Sequence, residues 1–350
     1  MDRKNTKIIS IGKVRIGGKE PIAVQSMTKT YTHDINATVK QIQKLQDAGC
    51  DIVRCAIPEE KDAQAIKQIK KHIRIPIVAD IHFNYRLALM AIESGADKIR
   101  INPGNIGGTE KLKAVVSACR ERNLPIRIGV NSGSLEKEIL KKYRHPTAEA
   151  LVGSAIKNIR ILEKLNFRDI VVSIKSTSVP VTIEAYRMLS KRVDYPLHVG
   201  ITEAGISASG MIRSSVGIGA LLSEGIGDTI RVSLTGDPVN EVMVGKEILR
   251  SLELIKSGAT IISCPTCGRC EIDVETIAKE VQERTKEVKK PVKIAIMGCA
   301  VNGPGEAADA DVGLAGGKGI GLIFRNGKIV KKVPESQMVK ELMKEVRKIK

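Results

Sequence analysis

The segment Glu224–Leu234 (EGIGDTIRVSL) contains the pattern that decides the fold. It begins with glycines of the kind that end helices, because glycine readily takes the left-handed conformation after a last helical turn. It continues as a short run rich in β-branched residues, which is typical of a strand buried on both faces. Arg231 and Ser233 lie two residues apart in this run, so a strand would place both side chains on one face.

Similar apolar runs occur eight times, and each is followed by a helix-like segment. The runs are Ile22–Met27, Asp51–Ile57, Pro76–His82, Lys98–Gly104, Pro125–Asn131, Asp169–Lys175, Pro196–Thr202 and Asp228–Leu234. Eight such units in about 235 residues match a TIM barrel in number and length. A doubly wound open sheet is the alternative, but Met27–Thr30 lacks the glycine-rich fingerprint that usually follows its first strand. The sequence therefore predicts an α/β fold with a TIM (β/α)8 barrel and an N-terminal hairpin over residues 1–256.

The alternation ends near residue 257, and a smaller α+β domain is predicted over 257–350. The run Gly313–Gly321 is rich in glycine, and we interpret it as a tight hairpin connection rather than a phosphate-binding loop.

Four of the seven cysteines lie in two pieces of this domain, Cys264–Cys270 (CPTCGRC) and Gly298–Glu306 (GCAVNGPGE). Neighbouring thiolates favour an iron–sulfur cluster, a structural zinc or a redox dithiol, and the spacing alone leaves the three open. Cys50, Cys55 and Cys119 are interpreted as core residues. The odd cysteine count and the lack of a secretory signal or a membrane-spanning run predict a cytoplasmic protein.

Polar residues recur two positions apart near the carboxyl ends of the predicted strands. The pairs are Asp80 and His82, Arg100 and Asn102, Ser173 and Lys175, and Arg231 and Ser233, and Arg127 and Asn131 share the same parity. In a barrel, these side chains would line the mouth, where TIM barrels hold their active sites.

The predicted mouth is strongly cationic. The five cations are Arg54, Arg100, Arg127, Lys175 and Arg231. Only Asp80 and Glu203 oppose them, so we expect an anionic ligand, since guanidinium groups suit phosphate oxygens. The histidines outside the predicted site, His33, His72, His145 and His198, show no comparable pairing.

The formal net charge of +18 raises the alternative of a zinc-stabilised nucleic-acid-binding protein. That class needs aromatic stacking platforms, and the chain has no Trp and three Phe. A thiol–disulfide oxidoreductase is a third reading, but the C-x-x-C pair lacks the expected βαβ setting. We therefore expect neither a nucleic-acid partner nor a membrane.

Several segments closely resemble the 4-hydroxy-3-methylbut-2-enyl diphosphate synthase family. They are Val24–Thr28, Ile201–Gly205, Arg231–Pro238, Ser263–Arg269 and Met297–Ala307. The resemblance covers almost the whole chain and implies a barrel followed by an iron–sulfur domain. It implies reductive ring opening and dehydroxylation of 2-C-methyl-D-erythritol 2,4-cyclodiphosphate in the non-mevalonate isoprenoid pathway, with ferredoxin or flavodoxin as electron donor. It also implies a homodimer in which one subunit's cluster closes over the other's barrel.

The resemblance further implies a set of site residues. A 4Fe-4S cluster would be held by Cys264, Cys267, Cys299 and Glu306. The substrate would be bound by Arg54, Asp80, His82, Arg100, Asn102, Arg127, Asn131, Lys175, Arg231 and Ser233. Glu203 and Glu306 would be catalytic, Glu203 as proton donor or hydrogen-bond partner. Cys270 is an extra thiol that leaves the fourth cluster ligand open, and the family motif favours Glu306.

Overall fold

The computed structural model describes residues 3–299, 305 and 307–349 of the 350-residue chain. It forms two compact units: a barrel unit that ends at Leu254 and a C-terminal unit that begins at Ile255. Each unit buries its own apolar side chains, as expected of separately folded domains.

The barrel unit opens with an antiparallel hairpin, β1 (Ile9–Ile11) and β2 (Val14–Ile16). Its isoleucines pack on apolar residues at the beginnings of the barrel strands, among them Ala23 and Ile52. The hairpin therefore covers the amino-terminal end of the barrel and leaves the opposite end for a site.

Eight parallel strands follow, joined by helices. The strands are β3 (Ala23–Met27), β4 (Ile52–Ala56), β5 (Ile77–Asp80), β6 (Lys98–Ile101), β7 (Ile126–Asn131), β8 (Ile170–Lys175), β9 (His198–Val199) and β10 (Thr229–Ile230). The helices are α1 (Ile35–Asp47), α2 (Glu60–Ile69), α3 (Tyr85–Glu93), α4 (Thr109–Glu121), α5 (Lys137–Tyr143), α6 (Ala148–Lys164), α7 (Val179–Ser190), α8 (Ser207–Ser223) and α9 (Pro238–Ser251). Gly49, Gly95 and Gly225 have positive φ just after helices, as the sequence predicts.

The strands succeed one another around the barrel in chain order, from β3 to β10, and β10 pairs with β3. The seam between β8 and β9 is reduced to one parallel bridge, Val172 with Leu197. Beside it, the phenol oxygen of Tyr186 on α7 accepts a hydrogen bond from the Ile174 amide and donates one to the His198 carbonyl. The predicted TIM barrel is confirmed, and Tyr186 fixes the short strand β9 against β8.

Among its described residues, the C-terminal unit has a five-stranded mixed sheet accompanied by helices. It contains β11 (Ala259–Ser263), α10 (Val274–Arg284), β12 (Val292–Met297), β13 (Val312–Gly317), β14 (Ile320–Arg325), β15 (Lys328–Pro334) and α11 (Met338–Arg347). The first three strands are parallel and the last two join antiparallel. The glycine-rich run forms the tight β13–β14 hairpin, and Gly313 leaves room for the Phe324 ring, which would clash with any β-carbon.

None of the helices that the structure describes has both the length and the apolar character needed to cross a bilayer.

Candidate active site

A pocket lies at the carboxyl ends of the barrel strands, where TIM barrels hold their active sites. Its lining consists of Arg54, Asp80, His82, Arg100, Arg127, Gly129, Asn131, Ser173, Lys175, Thr202, Arg231 and Ser233. The structure therefore brings together all of the substrate-binding residues predicted from the sequence except Asn102. They meet because each lies within a barrel strand or just beyond its carboxyl end, with its side chain on the inner face.

Asp80 is the carboxylate at the centre of this lining. Its Oδ1 accepts a hydrogen bond from Arg100 Nη1 at 3.0 Å, and its Oδ2 lies 3.5 Å from Arg54 Nε and from His82 Nε2. Burial disfavours the charged form, but Arg54, His82 and Arg100 outweigh it and hold the pKa of Asp80 well below its usual range. Asp80 is therefore ionised and orients two guanidinium groups.

Glu241, on α9, supports Arg231 from behind the pocket. Its carboxylate is 3.6 Å from Arg231 Nη2 and 3.5 Å from Lys29 Nζ. It also accepts hydrogen bonds from Ser26 Oγ at 3.0 Å and from the Leu234 amide at 3.1 Å. With 1% of its side chain exposed, Glu241 is a structural anchor for Arg231 rather than a group that reaches a ligand.

The remaining pocket cations have no carboxylate partner in the part of the chain that the structure describes. Arg127 donates to Gln25 Oε1 at 3.3 Å, and Lys175 lies near the imidazole of His198. Burial, and then the neighbouring cations, lower the pKa of Lys175 well below its usual value. Burial is also the main reason that the pKa of Arg54 is lowered to about 10.

Several buried donors in and below the pocket have no hydrogen-bond partner among the described residues. They are Arg100 Nε, Arg127 Nε, Arg231 Nε and Lys98 Nζ. A buried donor without an acceptor costs free energy, and five clustered cations repel one another. A ligand with several anionic oxygens would relieve both, so the pocket is suited to a phosphate compound.

The turn between β11 and α10 carries the clustered cysteines of the C-terminal unit. Cys264 follows the end of β11, and its amide donates to the Ile296 carbonyl on β12 at 3.0 Å. Cys299 follows the end of β12, so parallel pairing brings the Cys264 and Cys299 backbones to one edge of the sheet. Cys267 is exposed on the same turn as Cys264. No three His, Cys, Asp or Glu side chains among the described residues lie close enough together to hold a metal ion.

Cys270 differs from Cys264 in its surroundings. Its thiol donates to the Ile272 carbonyl at 3.1 Å, and it packs against the helix-covered core of the C-terminal unit. Cys264 instead contacts the smaller apolar cluster of Ala295 and Phe324 on the other face of the sheet. The two thiols therefore lie in different environments, although they are only six positions apart in the chain.

Family models cover both units of the chain. The GcpE TIM-barrel domain matches residues 6–246, and the GcpE protein C-terminal domain matches residues 260–348.

The chain belongs to the GcpE family.

Curated relatives agree with the family models over the full length. A protein of Caldanaerobacter subterraneus subsp. tengcongensis is 62% identical over 99% of this chain and 98% of its own length. One of Clostridium perfringens is 60% identical over 98% of this chain and 99% of its own. Both are named 4-hydroxy-3-methylbut-2-en-1-yl diphosphate synthase (flavodoxin). The resemblance read from the sequence is thus confirmed.

Solved structures share only the fold with this GcpE chain. Dihydropteroate synthase from Stenotrophomonas maltophilia superposes with a TM-score of 0.52 at 13% identity, covering 71% of this chain and 97% of its own. N-acetylneuraminic acid synthetase from Leptospira borgpetersenii superposes with a TM-score of 0.50 at 12% identity, covering 80% of this chain and 96% of its own. These similarities support the barrel and carry no argument about the reaction.

Of the predicted substrate-binding and catalytic residues, three lie outside the pocket lining or outside the described residues. Asn102 is buried beside the pocket, where its Oδ1 accepts from the Gly104 amide at 3.1 Å. Glu203 is exposed, with φ of 51° in the left-handed region, just after the lining residue Thr202. Glu306 falls outside the described residues.

The sequence reading was wrong about two histidines. His33 lies 2.7 Å from the Asp62 carboxylate, through its Nδ1. His198 is fully buried beneath the pocket, between Thr229 and Lys175. A polar residue in the otherwise apolar run Pro196–Thr202 was the available signal for His198. Glu241 and Lys98 were also missed. Strand parity gives no signal for Glu241, because it lies on a helix. The signal for Lys98 was its position on the same strand face as Arg100.

Asp80→Asn should lower the free energy of unfolding by about 3 kcal/mol at pH 7, because it leaves Arg54 and Arg100 buried without their counter-ion. The folded-state pKa of Asp80 is depressed, so its contribution is present above the unfolded-state pKa and is lost as the pH falls through the folded value. The difference in the free energy of unfolding between wild type and variant should therefore stay constant from pH 5 to 8 and become smaller below about pH 4. Urea unfolding across that pH range measures it.

Asp47→Asn is the matched control, because Asp47 is exposed at the end of α1. It should change stability by less than about 0.5 kcal/mol. Equal stability of Asp80→Asn and wild type at pH 7 would contradict the central role of Asp80 in the cation array.

Proposed function

We propose that the chain is a flavodoxin-dependent 4-hydroxy-3-methylbut-2-enyl diphosphate synthase of the non-mevalonate isoprenoid pathway. It is an oxidoreductase that reduces 2-C-methyl-D-erythritol 2,4-cyclodiphosphate by two electrons, opens its ring and removes a hydroxyl group. One observation supports the assignment beyond the names of the relatives. Buried cations converge at the mouth of the barrel, and several of their donors have no acceptor among the described residues.

The cation array suits both binding and ring opening. Arg100, Arg127 and Arg231 have donors that can reach phosphate oxygens in pairs. Ring opening breaks a carbon–oxygen bond, and the bonding electrons stay on a phosphate oxygen that was uncharged as an ester. Fixed cations around that oxygen stabilise the developing charge without reorganising during the reaction. His82, whose side chain is 58% exposed, and Glu203 could supply the proton that leaves with the hydroxyl as water.

We further propose a 4Fe-4S cluster held by Cys264, Cys267, Cys299 and Glu306. The donors present fit such a group in their chemistry, since thiolates are the usual iron–sulfur ligands and two strand ends bring the Cys264 and Cys299 backbones to one sheet edge. When bound, the cluster would supply the electrons for the reduction. Cys270 is excluded from the proposed set because its thiol donates a hydrogen bond to the Ile272 carbonyl beside the core.

The proposed assembly is a homodimer in which each cluster serves the partner's barrel. The support lies within the barrel unit: α9 begins after the carboxyl end of β10 and runs back towards the opposite end of the barrel. The chain therefore leaves this unit far from the pocket. The nucleic-acid alternative has no comparable support, since Arg54, Arg100, Arg127, Lys175 and Arg231 line the barrel pocket rather than an outer surface.

Anaerobic assay of the reconstituted protein with the cyclodiphosphate and reduced flavodoxin should yield 4-hydroxy-3-methylbut-2-enyl diphosphate. Arg231→Ala and Arg100→Ala should each weaken substrate binding by about 2 kcal/mol, near thirtyfold, because each removes charge-assisted hydrogen bonds. Arg187→Ala is the control, since Arg187 pairs with Glu224 on the outer surface.

Iron content and the visible absorption spectrum should be unchanged in all three variants. Absence of product with wild-type protein of full iron content would contradict the proposed reaction. Unchanged affinity in both pocket variants would contradict the binding site.

The ligand set is tested by comparing Cys270→Ser with Cys264→Ser under anaerobic reconstitution. Cys270→Ser should keep iron and turnover, because a serine hydroxyl can still donate to the Ile272 carbonyl. Cys264→Ser should lose most of the bound iron. Glu306→Ala should lower activity steeply and weaken or alter iron binding. Loss of iron in Cys270→Ser, with iron and turnover retained in Glu306→Ala, would overturn the assignment.

A further inference from the structure

His198 lies directly below the cation pocket and is fully buried. Its Nδ1 is 2.7 Å from Thr229 Oγ1, which the strand register places beside it on β10. Its Nε2 is 3.5 Å from Nζ of Lys175 at the end of β8. The imidazole therefore connects a pocket lysine to the neighbouring strand.

These contacts decide which nitrogen of His198 carries the proton. When Lys175 is an ammonium, its Nζ can only donate, so Nε2 presents its lone pair. Nδ1 then carries the hydrogen and donates it to Thr229 Oγ1. Burial, followed by the charges of Arg127 and Lys175, lowers the pKa of His198 well below its usual value, in agreement with a neutral ring.

Lys175, like Arg127, is a pocket cation without a compensating carboxylate in the described part of the chain. Its side chain is nearly buried, and no carboxylate lies within ion-pair distance of it among the described residues. Gly200 is required next to it, because a β-carbon at that position would come within 2.3 Å of the Arg231 carbonyl oxygen and 2.7 Å of Nζ. The charged groups that face Lys175 from the surrounding strands are Arg54, Asp80, Arg100, Arg127 and Arg231.

Four of these five neighbours are cations, so the empty pocket favours the uncharged amine of Lys175. An uncharged amine still has hydrogens to donate to His198 Nε2. A bound diphosphate reverses the local potential and favours the ammonium form.

We propose that Lys175 and His198 form a proton-coupled pair, in which His198 positions Lys175 and Lys175 takes up a proton from solvent when a diphosphate group binds. The proton is added to Nζ of Lys175, no bond to carbon or phosphorus changes, and the lone pair of His198 Nε2 remains the acceptor. His198 is a positioning residue because it acts through Lys175. The inference rests on the proposed diphosphate ligand, and it predicts that the affinity for this ligand depends on pH.

Calorimetry of the full-length chain at pH 8 tests the proposal, with the cyclodiphosphate titrated in buffers of different ionisation enthalpy. The dependence of the observed heat on the buffer gives the number of protons taken up. Wild type should take up about one proton more per site than Lys175→Arg, whose guanidinium is always charged. Lys98→Met, which removes the other buried lysine, should retain the wild-type uptake.

Equal uptake by wild type and Lys175→Arg would overturn the proposal, as would loss of the uptake in Lys98→Met. The same titration with inorganic diphosphate separates this inference from the proposed function. With inorganic diphosphate, an uptake about one proton larger in wild type than in Lys175→Arg, but no binding of the cyclodiphosphate, would reject the substrate and support the pair.

The role of His198 has its own measurement. His198→Leu should weaken binding of inorganic diphosphate about tenfold, because Lys175 loses the acceptor that positions it. His198→Gln, which keeps an acceptor, should restore most of that affinity. In spectra of 15N-histidine-labelled protein, the signal absent from His198→Gln should report the neutral Nδ1–H tautomer from pH 6 to 9. A charged ring or the Nε2–H tautomer would overturn the assignment.

Discussion

The repulsion among the buried cations at the barrel mouth is the constraint on which the rest of the site depends. Five cations line one pocket, and a single lining carboxylate, Asp80, lies among them. The fold tolerates this arrangement because Asp80 is shared by two arginines and Glu241 supports a third from α9. The balance of charge in the pocket remains positive, which prepares it for a polyanion at a cost in stability.

The barrel provides the positions that such an array needs. Arg100 and Arg127 are adjacent in strand register, and each extends from the inner face of its strand. The alternation of side chains puts every second residue inside, so a strand with polar residues two apart contributes twice to the same pocket. The hairpin β1–β2 covers the other end of the barrel with apolar residues. The cation array lies at the opposite end, where loops can vary.

Most of the barrel and of its lining could be predicted from the sequence because both follow local periodicity. The eight apolar runs became eight strands, and the parity of Arg100, Lys175 and Arg231 within them predicted the pocket. Glu241 could not be found in this way, since it lies on a helix and reaches Arg231 across the barrel wall. His198 was missed because its partner Thr229 is adjacent only through pairing between strands that are 31 residues apart in the chain. The two environments of Cys264 and Cys270 likewise depend on which face of the sheet each side chain meets.

The central claim is that charge, rather than the shape of the carbon skeleton, directs binding at the barrel mouth. Calorimetric titration of the full-length chain with the cyclodiphosphate and with the uncharged parent polyol, 2-C-methyl-D-erythritol, tests it most directly. The account predicts that the cyclodiphosphate binds at least about a hundredfold more tightly and that its affinity falls as salt is added. Similar affinities for the two compounds, or a cyclodiphosphate affinity that salt does not change, would contradict it.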